Sequence, residues 1–358
     1  MSLGKMGMKD GWRAAAHGAL RLAFTLVFAL LAAALSGCAT AQFHEDRTQP
    51  KGLIWPRPPA PARIQYLGMI ERPQDIGANS GFFSRLANFV FGAKVNDILK
   101  PYGVTGDSAD RLIVADTGLK RVHVFDIKEK DYTYIESYGD ELLASPIAAA
   151  VDGSDNIYIT DSVLGKVLVF TPSGKPRTEF KAGARPTGIA IDKTAGRVYV
   201  SDTAAHSVGV YDLNGGLVKT MGHFGAGLGE FNHPVDLFVD PAGDLYVNDT
   251  INYRVQIFDN AGAFLTQFGR HGDGTGDFGM PKGVSADNEG NVYVVDAVFD
   301  TVQIFNRDGT FLLNFGSVGS DAGAFWLPSG IYIDRSGKIY VADTFNRRVQ
   351  IFEYLGGS

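Results

Sequence analysis

Two ten-residue stretches of the sequence are nearly identical, and they decide the fold. Residues 249–258 read DTINYRVQIF, and residues 343–352 read DTFNRRVQIF. Each stretch begins with polar residues that favour a turn and ends in a β-branched and aromatic run that favours a short strand. The chain therefore contains an internal repeat whose unit includes a turn and a strand.

The aspartate that opens both stretches recurs six times at nearly constant spacing. The intervals between successive aspartates are 45, 41, 47, 47 and 47 residues, and a proline stands 15 or 16 residues before each one. The pairs are Pro101 and Asp116, Pro146 and Asp161, Pro186 and Asp202, Pro234 and Asp249, Pro281 and Asp296, and Pro328 and Asp343. The sequence therefore consists largely of six repeat units.

Within a unit, apolar residues alternate with polar ones in runs too short for helices. Residues 331–334, 338–342 and 349–352 are such runs, separated by Asp, Asn and Gly turns. The 44 glycines among 358 residues fit this many turns. Four strands joined by turns form one antiparallel sheet, and six small sheets bury their faces by stacking around an axis. The sequence predicts an all-β fold, a six-bladed β-propeller of four-stranded antiparallel blades.

The sixth unit ends near Glu353 after three strands, so its fourth strand must come from elsewhere in the chain. Residues 63–68, RIQYLG, have the same alternation and terminal glycine as residues 264–269, FLTQFG, in the fourth unit. We therefore expect residues 63–70 to close the ring as the outer strand of the last blade.

Residues 80–92, SGFFSRLANFVFG, break the strand pattern. Phe82, Leu86, Phe89 and Val90 recur at helical spacing and share one face. This pattern predicts a short helical insert whose aromatic face packs against the propeller. A role of the insert at a membrane surface or in binding a partner is the alternative.

Residues 1–37 have the layout of a signal peptide, with a basic start and an apolar run at 22–35. The run is shorter than the roughly 20 residues that a membrane-spanning helix needs. Residues 35–38, LSGC, resemble the bacterial lipobox, which implies a lipoprotein signal peptide and lipid attachment at Cys38. A simple secretory signal is the alternative. Residues 38–62 contain five prolines and predict an extended, Pro-rich tether.

The predicted signal peptide and the net charge of the remaining chain limit which kinds of partner the protein can bind. Residues 38–358 hold 29 Lys and Arg against 38 Asp and Glu, a formal net charge of −9, without a basic run of five residues. Such a chain lacks the concentrated positive surface that nucleic acid requires. The leader predicts a lipid-anchored protein of the bacterial cell envelope. Because residue 39 is not Asp, analogy with lipoprotein sorting in enteric bacteria indicates the outer membrane.

The repeated strings, together with PSGIYID at residues 328–334, resemble the NHL repeat, and the resemblance extends over residues 101–352. The whole layout is similar to that of bacterial NHL-repeat lipoproteins, with residues 63–358 as the propeller. The resemblance implies a binding scaffold whose partner is another envelope protein, a peptide or a glycan. We expect the partner on the loop-rich face, where the candidate residues are Lys100, Arg185, His233, Asn252, Arg254, Asn346, Arg347 and Arg348.

A metal-dependent periplasmic lyase or hydrolase, with its site at the channel mouth, is the alternative function. His206, His223, His233 and His271 all map to the loop-rich face, which makes them the metal candidates. The related amidating lyase of the NHL group holds its metal with histidines of inner strands, and only His233 stands at such a place. The sequence shows no nucleophile motif or cysteine cluster and identifies no catalytic residue and no cofactor. His123 is expected to be a solvated strand residue.

Overall fold

A computed structural model describes residues 52–78 and 96–356. The predicted signal peptide, Cys38 and the helical insert at 80–92 lie outside these ranges, so they remain predictions. The helical segments of the described residues are two 3₁₀ turns, Pro73–Ile76 and Thr250–Asn252. Within the same residues, none of the helices has the length and hydropathy to cross a membrane.

The fold is all-β, and its six antiparallel blades confirm the predicted propeller; blades one to five have four strands, and blade six adds a short fifth strand to its four. Strand order follows the chain from the channel outward in blades one to five, while blade six takes its outer strands from the N-terminal part of the chain. The strands are, for blade one, β3 (Pro101–Gly106), β4 (Arg111–Asp116), β5 (Arg121–Asp126) and β6 (Asp131–Ile135); for blade two, β9 (Pro146–Val151), β10 (Ile157–Asp161), β11 (Lys166–Phe170) and β12 (Pro176–Lys181); for blade three, β13 (Pro186–Asp192), β14 (Arg197–Asp202), β15 (Ser207–Asp212) and β16 (Leu217–Met221); for blade four, β17 (Pro234–Val239), β18 (Leu245–Asp249), β19 (Arg254–Phe258) and β20 (Phe264–Phe268); for blade five, β21 (Pro281–Ala286), β22 (Val292–Asp296), β23 (Thr301–Phe305) and β24 (Phe311–Phe315); and for blade six, β25 (Ile331–Ile333), β26 (Lys338–Asp343), β27 (Arg348–Tyr354), β2 (Ile64–Ile70) and β1 (Ile54–Trp55). A two-stranded ribbon, β7 (Ser137–Tyr138) and β8 (Glu141–Leu142), connects blades one and two.

The inner strands lie side by side around a central channel, in the order β3, β9, β13, β17, β21 and β25, and β25 contacts β3 again. Their backbones approach closely at a position that is glycine in four blades. A Cβ atom at Gly283 would lie 2.4 Å from the Ser329 carbonyl oxygen, and one at Gly330 would lie 2.4 Å from the Tyr102 carbonyl oxygen. Glycine is therefore required where neighbouring blades meet at the channel.

The ring closes as the sequence predicts. Strand β2 pairs antiparallel with β27, and its alternate residues Ile64, Tyr66 and Ile70 are buried. The Leu355 N–H donates to the Arg63 carbonyl oxygen at 2.8 Å, which extends the pairing past the end of β27. Opening the ring therefore requires the loss of a whole strand pair.

The predicted Pro-rich tether needs a correction over its described part. Strand β1 pairs with β2 as a fifth strand of blade six, so residues 54–55 lie on the propeller. Trp55 packs edge-on against Phe352 at 5.8 Å between ring centroids, and Leu53 packs in the same core cluster. The physical reason is that these two large apolar side chains gain more from burial than from solvent exposure.

A buried aspartate ties each blade together at the end of its second strand. In all six blades, its carboxylate accepts an N–H at 2.6–2.8 Å from the residue two positions before the repeat proline. The six donors are Leu99, Ala144, Ala184, Asn232, Gly279 and Trp326. In blades one, two, three and five the same carboxylate also accepts N–H groups of its own turn. The aspartate therefore fixes the start of the inner strand relative to the turn beside it.

In blade six an arginine extends this aspartate network. The Arg348 Nε–H donates to Asp343 Oδ2 at 2.8 Å, and its Nη groups donate at 2.8–2.9 Å to the carbonyl oxygens of Ser320, Asp321 and Ala324. Arg348 is only 3% exposed. The guanidinium therefore holds the Gly-rich connection that leads from blade five into blade six.

We predict that Arg348→Met destabilises the propeller, whereas Arg347→Met does not. The first substitution removes the cationic partner of the buried Asp343 carboxylate and the side-chain donor to the Ser320 and Asp321 carbonyl oxygens, which costs about 3–5 kcal/mol. The second removes an exposed arginine, and the effect stays within about 0.5 kcal/mol. Chemical denaturation of both variants measures the difference. Equal unfolding free energies would contradict the assigned role of Arg348.

Candidate binding face and channel mouth

The loop face is the side of the propeller on which each inner strand begins. It carries the residues before the repeat prolines, the turns after the second strands and the connections between blades. Of the predicted candidates, Lys100, Arg185, His233 and Arg347 are exposed on it.

The other four candidates lie beneath the surface of the loop face and hold its loops in place. Arg254 and Arg348 are buried, which corrects the expectation that they present their charge on the surface. Arg254 donates to Asp249 Oδ2 at 2.8 Å and to carbonyl oxygens of the connection before its blade, as Arg348 does. Asn252 and Asn346 are partly buried and donate to these same two aspartates and to the Gly225 and Gly319 carbonyl oxygens.

Exposed apolar side chains are concentrated on the loop face. Ten of the fifteen large ones among the described residues lie there, and none lies in the turns that join strands on the opposite face. The ten are Leu99, Leu142, Val163, Phe224, Leu228, Ile251, Val298, Val318, Trp326 and Phe345. The loop face therefore differs chemically from the rest of the surface.

Four of these side chains form what we call the apolar ring: Val163, Ile251, Val298 and Phe345. Each stands two residues after the repeat aspartate of its blade, so the same turn position supplies all four. The Phe345 ring lies 5.8 Å from Trp326, and the Lys100 Nζ lies 5.7 Å from the Phe345 ring centroid. Blades six and one thus join an aromatic pair to a cation at the edge of the channel.

The channel mouth is the opening of the channel on the loop face, bordered by Lys100, Tyr102, Arg185 and Lys282. The Lys282 Nζ lies 5.4 Å from the Tyr102 ring centroid, although the two residues belong to blades five and one. Burial, with a contribution from Lys100, lowers the pKa of Lys282. Burial also raises the pKa of Tyr102 to about 12, so its hydroxyl keeps its proton at neutral pH.

Below the mouth, the inner strands line an open cavity of about 200 Å³ that extends toward the opposite face. Asp236 lines it, at the strand position that glycine or alanine occupies in the other five blades. Its Oδ2 accepts the Val284 N–H of the next blade at 3.0 Å. Asp236 keeps some surface toward the channel, but protein atoms surround it otherwise, and this burial raises its pKa to about 7.

Asn248 is the cross-strand partner of Asp236 and is fully buried. Among the residues that the structure describes, neither its Oδ1 nor its Nδ2 has a hydrogen-bond partner. At the same position, Ser201 of blade three accepts the Gly188 N–H and donates to the Val235 carbonyl oxygen. A buried amide without partners is costly, so Asn248 is a destabilising polar position in the second strand of blade four.

The four candidate histidines do not converge. The His206 and His233 rings lie 4.5 Å apart, and the His233 N–H donates to His206 Nδ1. His223 pairs with a glutamate at 3.4 Å, and His271 stacks on Tyr253. Across residues 52–78 and 96–356, no three His, Cys, Asp or Glu side chains are grouped to hold a metal ion.

His123 is buried, which corrects the expectation that it is solvated. Its Nε2 lies 3.3 Å from Asp116 Oδ2, and its Nδ1 lies 2.8 Å from the Tyr132 hydroxyl. Gln350 occupies the same strand position in blade six and donates to the repeat aspartate Asp343. His123 is therefore the blade-one member of the aspartate network.

Sequence reasoning missed Asp236, Asn248, Tyr102 and Lys282. Alignment of the six repeats contains the signal for Asp236, because it replaces glycine or alanine in one blade only. Lys282 follows a repeat proline directly, and nothing in its local sequence distinguishes it from a surface lysine.

We predict that Asp236→Asn changes how stability depends on pH. The folded pKa of Asp236, about 7, exceeds its unfolded value, so the folded state binds this proton more tightly and loses stability as pH rises from about 4 to 7. Asparagine does not titrate, yet it can still accept the Val284 N–H. Relative to the parent chain, the variant should gain about 1 kcal/mol per pH unit between pH 5 and 7. A difference that is constant from pH 4.5 to 8 would contradict this account.

Comparison with known proteins identifies the repeats. The sequence profile of the NHL repeat matches residues 184–211 and 325–352, in blades three and six. The Protein brain tumor of Drosophila melanogaster is 34% identical over 141 residues, which cover 37% of this chain. The match spans only 13% of the length of that curated relative.

Solved structures share the fold at low identity. An auxiliary nutrient binding protein from Bacteroides thetaiotaomicron has a TM-score of 0.59 at 15% identity, covering 73% of this chain and 71% of its own. A catalytically inactive virginiamycin B lyase from Staphylococcus aureus with quinupristin has a TM-score of 0.54 at 12% identity, covering 73% and 97%. At these identities the likeness concerns the fold alone. The chain is a six-bladed β-propeller that contains NHL repeats.

Proposed function

We propose that the propeller is a binding scaffold and that its loop face takes a protein or peptide partner. The observation that carries the proposal is the concentration of exposed apolar side chains on that face, with the apolar ring at one repeated turn position. An apolar surface of this kind on an otherwise charged protein is typical of a partner-binding site.

The rigidity of the face supports the same proposal. Backbone segments that carry the apolar ring are hydrogen-bonded to the buried repeat aspartates or to the residues that precede the inner strands. In blade four, for example, the Ile251 N–H donates to the Asn232 carbonyl oxygen at 3.0 Å. A preformed surface binds a partner without the entropy cost of ordering loops.

Site-specific photocrosslinking in intact cells tests the proposal. We expect a photoreactive phenylalanine analogue in place of Phe345 or Val163 to form the same crosslinked product, because both residues lie on the apolar ring. The analogue in place of Leu312, which is 48% exposed on outer strand β24, is the matched control and should give none. Gel analysis with mass spectrometry identifies the product.

A serine substitution tests whether the crosslink reflects binding. Ile251→Ser, in blade four and two blades from each probe, should weaken the product from both positions severalfold, because it removes apolar contact area. Equal products from Phe345, Val163 and Leu312, or a product that Ile251→Ser leaves unchanged, would contradict the proposal.

We also propose that lipid on Cys38 holds the propeller at the bacterial cell envelope, at the outer membrane. The support is the LSGC string after the basic and apolar leader, and the residue at 39. Cys38→Ala should abolish metabolic labelling with a radioactive fatty acid and release the protein from the membrane fraction. Cys38→Ala protein that stays labelled, or that stays in the membrane fraction, would contradict the lipid anchor.

A further inference from the structure

The channel mouth gathers positive charge on a protein that is negative overall. The full chain has a formal net charge of −6, yet Lys100, Arg185 and Lys282 all border one opening. Some cations of the described chain pair with carboxylates, as Arg111 does with Asp107 at 2.6 Å, and exposed ones such as Lys338 stand in solvent. None of the three mouth cations has a carboxylate within 4.0 Å among the described residues.

Lys282 shows why this arrangement calls for a ligand. It lies on inner strand β21, partly buried, with its Nζ above the Tyr102 ring and another cation, Lys100, near enough to lower its pKa. Burial without a counter-ion and repulsion from a like charge both raise the energy of an ammonium group. An anion bound at the mouth would supply the missing counter-ion and offset the repulsion between Lys282 and Lys100.

The neighbours of Lys282 suit an oxyanion. Arg185 stands directly before inner strand β13, as Lys100 stands directly before β3, and, in addition to burial, its charge contributes to the lowered pKa of His233. Arginine and lysine form charge-assisted hydrogen bonds to carboxylate oxygens. The protonated Tyr102 hydroxyl is a further donor at this opening.

The volume of the cavity and the apolar side chains around the mouth indicate which class of ligand binds there. The cavity below the mouth, about 200 Å³, has room for one side chain or chain end. Asp236 on its wall, which is ionised in part at neutral pH, disfavours deeper entry of a ligand carboxylate. The exposed apolar ring around the mouth favours apolar groups beside the charged group of the ligand, which inorganic phosphate and sugar phosphates lack.

We propose that the channel mouth binds a carboxylate of the peptide partner, seated among Lys100, Arg185 and Lys282, while apolar residues beside it contact the apolar ring. The partner segment is thus an acidic residue or chain end flanked by apolar side chains. This inference rests on the proposed function of the loop face.

Three peptide libraries test the carboxylate directly. Each consists of amidated octapeptides with random apolar positions and a fixed central glutamate, glutamine or phosphoserine. They are screened against the full chain in detergent. We expect the glutamate library to be selected, and its best member to bind about tenfold more tightly than the glutamine counterpart. Fluorescence polarisation measures both affinities.

Cation variants assign the binding to the mouth. Lys282→Met and Arg185→Met should each remove most of the preference for glutamate over glutamine, whereas Lys338→Met, an exposed lysine toward the opposite face, should retain it. Arg185 is exposed, so its variant keeps the test decisive if Lys282→Met does not fold.

Several outcomes would overturn the inference. They are equal selection of glutamate and glutamine, selection of phosphoserine alone, selection from none of the libraries, and a glutamate preference that both mouth variants retain. If crosslinking from Phe345 persists in any of these cases, the loop face still binds a partner and only the carboxylate site fails. Loss of the crosslink as well would mean that the proposed function itself fails.

Discussion

One hydrogen-bonding arrangement recurs in every blade, and the rest of the propeller depends on it. A buried aspartate at the end of the second strand accepts the N–H of the residue two positions before the repeat proline. A β-sheet ladder alone does not fix where an inner strand begins, since this segment precedes the first ladder pair. The aspartate supplies that constraint. The segments that it holds in place are part of the loop face, so the same hydrogen bonds fix the backbone of that face.

The blades share this aspartate arrangement and differ in a few residues around it. Blades four and six add a buried arginine that holds a Gly-rich connection, and blade one substitutes His123 for glutamine. The turn position two residues after the aspartate differs in side-chain size from blade to blade, and in four blades it carries the apolar ring. The inner strands carry Lys282 and Asp236, where other repeats have smaller or neutral residues. Repetition therefore provides rigidity, and departures from it provide chemical character.

The fold could be predicted because its signals are periodic and local. The spacing of Asp and Pro gave the blade count, and the alternation of residues 63–68 gave the closing strand. The burial of Arg254 and Arg348 could not be predicted in this way, because their carbonyl partners lie 24–28 residues upstream in another connection. Strand β1 was missed because the prolines around Trp55 favour an extended tether.

The sequence predicted which face of the propeller carries the candidate site, but it did not predict which chemical groups meet there. Lys100 and Arg185 were found from their position before the repeat prolines, but whether a described carboxylate lies near them depends on how the ring folds. The apolar ring becomes apparent only when six separate turns are brought around one channel. Side chains from distant blades, such as Lys282 and Tyr102, meet because the ring closes.

Native-state hydrogen exchange tests the central constraint most directly. The amides of Leu99, Ala144, Ala184, Asn232, Gly279 and Trp326 precede the inner strands, so as ordinary loop amides they would exchange quickly. Because each donates to a buried aspartate, we predict that all six exchange as slowly as the amides of the second strands, through unfolding of the blade. Exchange as fast as that of the exposed turn at residues 171–175 would contradict the account.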